Sequence, residues 1–327
     1  MSGHATISRR AALRALGAAS LAPLSMTGIS RSARAAAPVL GPARPTYYRF
    51  QLGSFEVTSL LDGAIQLDGP HPIFGQDQSP EAVRQLAESN FLPATRMEIV
   101  FTPVVVNTGS ELVLFDSGNS PERRPGAGNL VAALQAAGLD PAQIDVVVIT
   151  HMHPDHVGGL MADRAPTYPN ARYVTGQIEY DFWSKDERLS GPTEGAATLV
   201  QANVVPLADR ITFLGDEGEV VPGIRGLSAF GHTPGHMAYH IESDGRRLLL
   251  WADSANHYVL SVQRPDWHVR FDMDKEAAAA TRRRLFDLAA ADRIPVTGYH
   301  MPFPAIGYID RAGSEYRWVP ASYQLNL

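Results

Sequence analysis

The sequence predicts an α/β fold in which helices cover the sheets. Three observations carry this expectation. Residues 145–149 form a short β-branched run without interruption, the mark of a strand buried on both faces. Strand-like segments fall in two clusters, one in each half of the chain, and helical segments alternate with them. At 45% hydrophobic residues, a chain of 327 can bury a sizeable core.

The elements follow in order. Residues 55–61 alternate in strand fashion and stop at the turn pair Asp62-Gly63. Residues 70–98 are rich in proline and polar groups, with a short helix expected over 80–89. Residues 99–107 and 111–115 read as two strands of a hairpin closed by Asn107-Thr108-Gly109-Ser110. A helix over 129–137 ends at Gly138. Residues 184–203 read as an irregular surface insertion. In the second half, 224–229, 237–241 and 248–252 are strands, the last two joined by Asp244-Gly245. A strong helix spans 275–290, with Asp272 or Asp274 as its cap, and a strand follows at 294–297.

Composition removes several function classes. The chain has no cysteine, which excludes a disulfide framework, a thiolate nucleophile and cysteine-ligated zinc or iron–sulfur centres. A net charge of −6 gives no general electrostatic reason to bind nucleic acid. No apolar run is long enough to span a bilayer.

Residues 1–37 are read as an export signal and 38–327 as the mature domain. The first segment holds Arg9, Arg10, Arg14, Arg31 and Arg34 and no acidic residue. Its paired arginines, weak apolar run and Ala33-Arg34-Ala35 resemble a twin-arginine signal, which places the mature protein in the periplasm or outside the cell. Without those five arginines, 23 basic residues face 34 acidic ones.

The chemistry concentrates directly after the buried strand. Thr150-His151-Met152-His153-Pro154-Asp155-His156 packs three histidines and an aspartate into six residues. Imidazole and carboxylate are the ligands that zinc and similar ions accept when no thiol is offered. Side chains alternate along an extended segment, so His151 and His153 point to one side. Asp155 and His156 lie where the chain turns into a helix and face a second point. Further candidates sit at strand ends: His232 in Gly231-His232-Thr233-Pro234-Gly235-His236, Asp253 after 248–252, and His300 after 294–297. One set is then His151, His153, His232 and Asp253. The other is Asp155, His156, Asp253 and His300, with Asp253 bridging. Asp116 can orient a ligand histidine from outside or cap a turn. His236 is expected to brace its loop, and His257 lies where it can border a substrate pocket.

These motifs resemble the metallo-β-lactamase superfamily. The blocks YYRFQLGSFEVTSLLDG, THMHPDHVGGLM, PGI with GHTPGH, FPAIGYI and YRWVPASY are similar to its methyl parathion hydrolase group, in the same order from Tyr47 to the C-terminus. The resemblance implies a four-layer αβ/βα sandwich and an exported phosphotriesterase or lactonase relative. It also implies Trp183 as a lining residue of the substrate pocket, an ordinary core aromatic being the other reading, and a homodimer. The expected enzyme holds two divalent ions, zinc first, with manganese, iron or cobalt admissible. It uses a hydroxide bridging them to cleave a phosphotriester or a lactone or carboxylic ester, with Asp155 passing a proton to an alkoxide leaving group. Residues 119–129 and 190–198 lack aromatics found at comparable places in that group, which favours a lactone or ester. The competing readings are a non-catalytic metal-binding protein and a thioester or β-lactam hydrolase of the same superfamily.

Overall fold

A computed structural model describes residues 37–313, 315–321 and 325–327. The segment read as an export signal lies outside them, save its last residue. The chain divides after Ala43, and everything below concerns Arg44–Leu327.

Strands β1 (Tyr47–Leu52) and β2 (Phe55–Leu60) pair antiparallel. A separate hairpin is made by β3 (Gly63–Asp68) and β4 (Arg96–Phe101), with helix α1 (Pro80–Ser89) between them in sequence. Then come β5 (Val104–Asn107), β6 (Leu112–Phe115), α2 (Leu130–Ala136), β7 (Val146–Ile149) and α3 (Pro154–Val157). The short pair β8 (Met161–Ala162) and β9 (Ala165–Pro166) precedes β10 (Arg172–Gly176), α4 (Gln177–Trp183), α5 (Glu194–Asn203) and β11 (Ile211–Leu214). The second half runs β12 (Glu219–Val221), β13 (Ile224–Ser228), β14 (Met237–Ser243), β15 (Arg246–Ala252), α6 (Leu260–Gln263), α7 (Lys275–Asp292), β16 (Val296–Gly298), β17 (Ile306–Ala312) and β18 (Glu315–Pro320).

Two seven-stranded sheets result, ordered β1-β2-β5-β6-β7-β10-β11 and β12-β13-β14-β15-β16-β17-β18. The period of two along each strand sorts the side chains into layers. Val146 and Val148 of β7 pack inward against Tyr239, Ile241 and Leu250 of the other sheet. Val147 and Ile149 point outward to Leu130 and Leu134 of α2 and Val200 of α5. On the far side, Leu249 and Trp251 meet Leu285 and Phe286 of α7. Truncating a fully buried phenylalanine such as Phe286 to alanine costs about 3–5 kcal/mol. This is the expected four-layer αβ/βα sandwich, and all of β7 is buried, as its composition requires.

Local chemistry sets several boundaries. Asp244 and Gly245 both have positive φ, the geometry that matches the twist of a two-residue hairpin. Asp274, not Asp272, caps α7 by accepting from the Ala277 N–H.

Two expectations fail. The run 99–107 is not one strand. Pro103 has no N–H to continue a ladder, and the chain passes there from the small hairpin, where Phe101 pairs with Gly63, to the large sheet, where Val104 pairs with Ser59 and Phe115. Residues 184–203 are not an irregular insertion throughout. Helix α5 occupies the second half of that stretch and buries Ala197 and Val200. Its Asn203 donates to the carbonyls of Val157 and Gly158 at the end of α3. A start without a side-chain cap and an alanine-rich, weakly patterned sequence hide this helix.

Candidate metal centre

The candidate ligands all come from the carboxyl ends of strands. Strand β7 delivers His151, His153, Asp155 and His156, β13 leads to His232, β15 to Asp253 and β16 to His300. Ala252 adopts φ 46°, a left-handed conformation that costs a non-glycine residue about 1–3 kcal/mol, immediately before Asp253. Two glycines let the 231–236 loop come close to its neighbours. A Cβ on Gly231 would lie 2.1 Å from the Ala278 nitrogen, and one on Gly235 would lie 2.1 Å from the Glu179 nitrogen.

The seven side chains converge as two sets. His151, His153, His232 and Asp253 place one donor atom each within 4.8 Å of one another, and so do Asp155, His156 and His300. His153 Nδ1 is 3.1 Å from His151 Nε2 and 2.9 Å from His232 Nε2. Asp253 stands between the sets. Its Oδ2 is 3.3 Å from His232 Nε2 and 3.1 Å from His300 Nε2, while its Oδ1 is 3.4 Å from His156 Nε2. Asp155 Oδ2 lies 3.5 Å from His156 Nε2 and 3.4 Å from His300 Nε2.

Four of the histidines use their outer nitrogen as a donor. His151 Nδ1–H points to Thr150 Oγ1, His156 Nδ1–H to Asp116 Oδ2, His232 Nδ1–H to Asp272 Oδ1 and His300 Nδ1–H to the Val100 carbonyl. In a neutral imidazole the inner Nε2 then carries a lone pair. Lone pairs thus face lone pairs and carboxylates in a buried space, which is unfavourable without positive charge. His156 Nε2 and Asp253 Oδ1 are buried there with no hydrogen-bond partner. Burial holds His153 down at about 3 and so keeps it neutral, His232 adding to the effect. Burial also opposes charge on His232, but the Asp253 and Asp272 carboxylates outweigh it and push it up to about 9. The donor set calls for cations, and imidazole with carboxylate suits two divalent ones.

The surroundings hold this arrangement. Asp116, at φ 64°, accepts from His156 Nδ1, from the Thr150 N–H and from Thr150 Oγ1, contacts that fit the orienting reading. His236 accepts from the Asp253 N–H and donates to the Ala229 carbonyl, bracing the loop. Three supports were not legible in the sequence. Asn256 donates to Asp253 Oδ2, and Asp272 accepts from His232. Buried Glu179 of α4 grips both ligand loops: Oε1 accepts from the Met152 N–H and Trp183 Nε1, and Oε2 accepts from Thr233 Oγ1 and the Gly235 N–H.

A cavity of about 470 Å³ opens onto the centre. His153, Asp155, His232, Asp253 and His300 reach it, and Ile65, Leu67, Ile99, Phe101 and Phe271 give it apolar walls. Trp183 is not among its lining residues. It is buried behind His153, ring centroids 6.1 Å apart, because its indole N–H is committed to Glu179 one helical turn away. His257 lines a neighbouring cavity of about 390 Å³ that shares the His300 wall. Its Nδ1 accepts from the N–H groups of Val259 and Leu260, and burial lowers its pKa to about 4. Of the two segments noted for lacking aromatics, 119–129 contributes Arg123 to the larger cavity, and 190–198 contributes nothing to it.

A sandwich with such a centre at its strand ends defines a class, and the sequence agrees. Residues 102–297 match the family model described as the metallo-beta-lactamase superfamily, and the chain belongs to that superfamily. The N-acyl homoserine lactonase of a Bacillus species is 24% identical over 164 residues, 50% of this chain and 58% of the relative. The N-acyl homoserine lactonase AttM of Azorhizobium caulinodans is 26% identical over 132 residues, 38% of this chain and 46% of the relative. The chain thus spans about half the length of the curated relatives it matches. Among solved structures, the hydrolase AbOPH of the beta-lactamase superfamily superposes with a TM-score of 0.79 at 26% identity, covering 86% of this chain and all of that one. AidC, a dizinc quorum-quenching lactonase in complex with a product, superposes with a TM-score of 0.78 at 24% identity, covering 85% and 98%.

Proposed function

We propose that this chain is a dinuclear-metal hydrolase that opens lactones, with zinc as its resident ion. The observation that carries the reading is the set of seven donors sharing Asp253 at the floor of an apolar cavity. The lactonase names of its relatives favour the substrate class. His151, His153, His232 and Asp253 would hold one ion, and Asp155, His156, Asp253 and His300 the other. When bound, such ions polarise an ester carbonyl and acidify water, the Lewis-acid chemistry that ester hydrolysis at neutral pH needs.

The chain's own residues do the rest. Asp155 reaches the cavity while its neighbours His151 and His156 are sealed off. Burial pushes its carboxyl up, but the His156 and His300 imidazoles outweigh that and hold it below the usual range. It is therefore ionised, and the carboxylate oxygen not turned toward His156 and His300 can take a proton from the attacking water and return it to the alkoxide oxygen of an opened ring. Ile65, Leu67, Ile99, Phe101 and Phe271 exclude water and accept an apolar arm, each buried methylene contributing about 0.8 kcal/mol.

The finer placement, in the methyl parathion hydrolase group, rests on the sequence blocks at the two ends of the domain. It would make a phosphotriester the alternative substrate of the same centre. Side-by-side turnover of a lactone series and a nitrophenyl phosphotriester by zinc-replete protein tests the choice. Lactones should be hydrolysed faster, and faster still with longer acyl arms. A higher kcat/KM for the phosphotriester, or no lactone opening, overturns the proposal.

The proposal extends to location and assembly: an exported, periplasmic or secreted homodimer. N-terminal sequencing of protein from the periplasmic fraction should start near residue 38. Protein found in the cytoplasm alone and beginning at Met1 would refute export.

A further inference from the structure

Arg282 lies on the face of α7 that packs against the sheet, among Ala278, Ala279, Leu285 and Phe286, and is fully buried. A guanidinium in such a place costs several kcal/mol unless its donors are all used in good geometry. Each of its three nitrogens is used, and on the surroundings of the candidate metal centre. Nε donates to the Ser254 carbonyl at 2.8 Å, next to Asp253. Nη2 donates to Asp272 Oδ2 at 2.8 Å, and the other oxygen of that carboxylate accepts from His232 Nδ1 at 2.8 Å. Nη1 donates to the Pro265 carbonyl at 2.6 Å, at the start of the 265–272 segment that carries Arg270 and Phe271 to the cavity wall.

We propose that Arg282, acting through Asp272, is a positioning residue that sets metal affinity at one of the two positions, the one formed by His151, His153, His232 and Asp253. One planar group fixes the ring of His232, the turn after Asp253 and a wall of the substrate cavity relative to one another. The guanidinium also holds the Asp272 carboxylate in the orientation that faces His232 Nδ1–H, which fixes the imidazole ring with its Nε2 toward the candidate metal position. Lysine at 282 would keep the charge but cannot reach three acceptors from one fixed plane. The inference rests on the dinuclear reading above, and its test reads metal affinity instead of hydrolysis.

The experiment titrates zinc-replete full-length protein with a competing chelator and compares wild type with Arg282→Lys and Asp272→Asn. Wild type should release two ions. In both variants one ion should leave at about 10–100-fold lower chelator, the range for outer partners of metal ligands, and the other should be unchanged. Adding Arg282→Lys to His232→Ala should weaken the remaining ion no further. A purely structural role would instead lower the melting temperature of the metal-free protein and leave both affinities alone, or weaken both equally; either result overturns the inference. If Arg282→Lys does not fold, the near-isosteric Asp272→Asn decides by itself, and unaltered zinc release there is a refutation. Wild-type protein that binds no zinc refutes the dinuclear reading itself, a result distinct from two ions that every variant releases alike.

Discussion

Replacing Asp253 with alanine should empty both metal positions together and bring hydrolysis to background. Among the described residues, Asp253 is the one carboxylate whose two oxygens face donors of both sets, with Oδ2 toward His232 and His300 and Oδ1 toward His156. Removing it leaves five histidines and Asp155 as the donors of the cluster, with Asp155 its remaining anion. The loss should exceed by a wide margin the roughly 10–100-fold that outer-shell partners contribute to affinity or activity. Elemental analysis beside lactone turnover checks it. Two ions retained, or a tenth of the activity, would mean that Asp253 does not link the two positions.

Glu179→Ala should be among the most destabilising single changes outside the candidate ligands. Four donors would lose their acceptor: the N–H groups of Met152 and Gly235, the Thr233 hydroxyl and the Trp183 indole N–H. Buried donors left unpaired cost about 1–3 kcal/mol each, and partial relaxation brings the expected total to about 4 kcal/mol. That is a large share of the roughly 5–15 kcal/mol that holds a typical domain together. The two ligand loops would also lose the tie that keeps Met152 and Gly235 on one carboxylate, so zinc uptake should weaken in step. Glu179→Gln should fall between, since its NH₂ group would face the Gly235 N–H. Urea unfolding of metal-free protein measures the effect. A change below about 1 kcal/mol in the alanine variant would show that water replaces the carboxylate without loss.

The sequence reveals the candidate ligands more readily than their supports. His151, His153, Asp155 and His156 are contiguous, and His232, Asp253 and His300 each follow a recognisable strand, so period and turn chemistry suffice to find them. Asp116 is found on the same grounds. Glu179, Asp272 and Arg282 carry no local pattern. Glu179 reads as one acidic residue in a short helix, and its partners lie 27 and 56 positions away. Asp272 reads as a helix cap because it stands two residues before the true one. The walls are hidden for the same reason. Phe101 and Phe271, far apart along the chain, line one cavity, whereas Trp183 turns inward with its indole N–H on Glu179. The path of the chain through 99–107 is concealed differently: both sides of Pro103 are strand-like, and the switch of sheets is decided by pairing.

The donors of this centre span positions 151 to 300 and come from both sheets. The first set needs residues 151 to 253 and the second residues 155 to 300, and the two sheets must be docked before all seven donors meet. Loading of both complete positions therefore waits on the docking of the two sheets. A chain that crosses a membrane already folded would take its ions from the compartment where it was made. The cytoplasm, with its own balance of available metals, would then choose which element works outside.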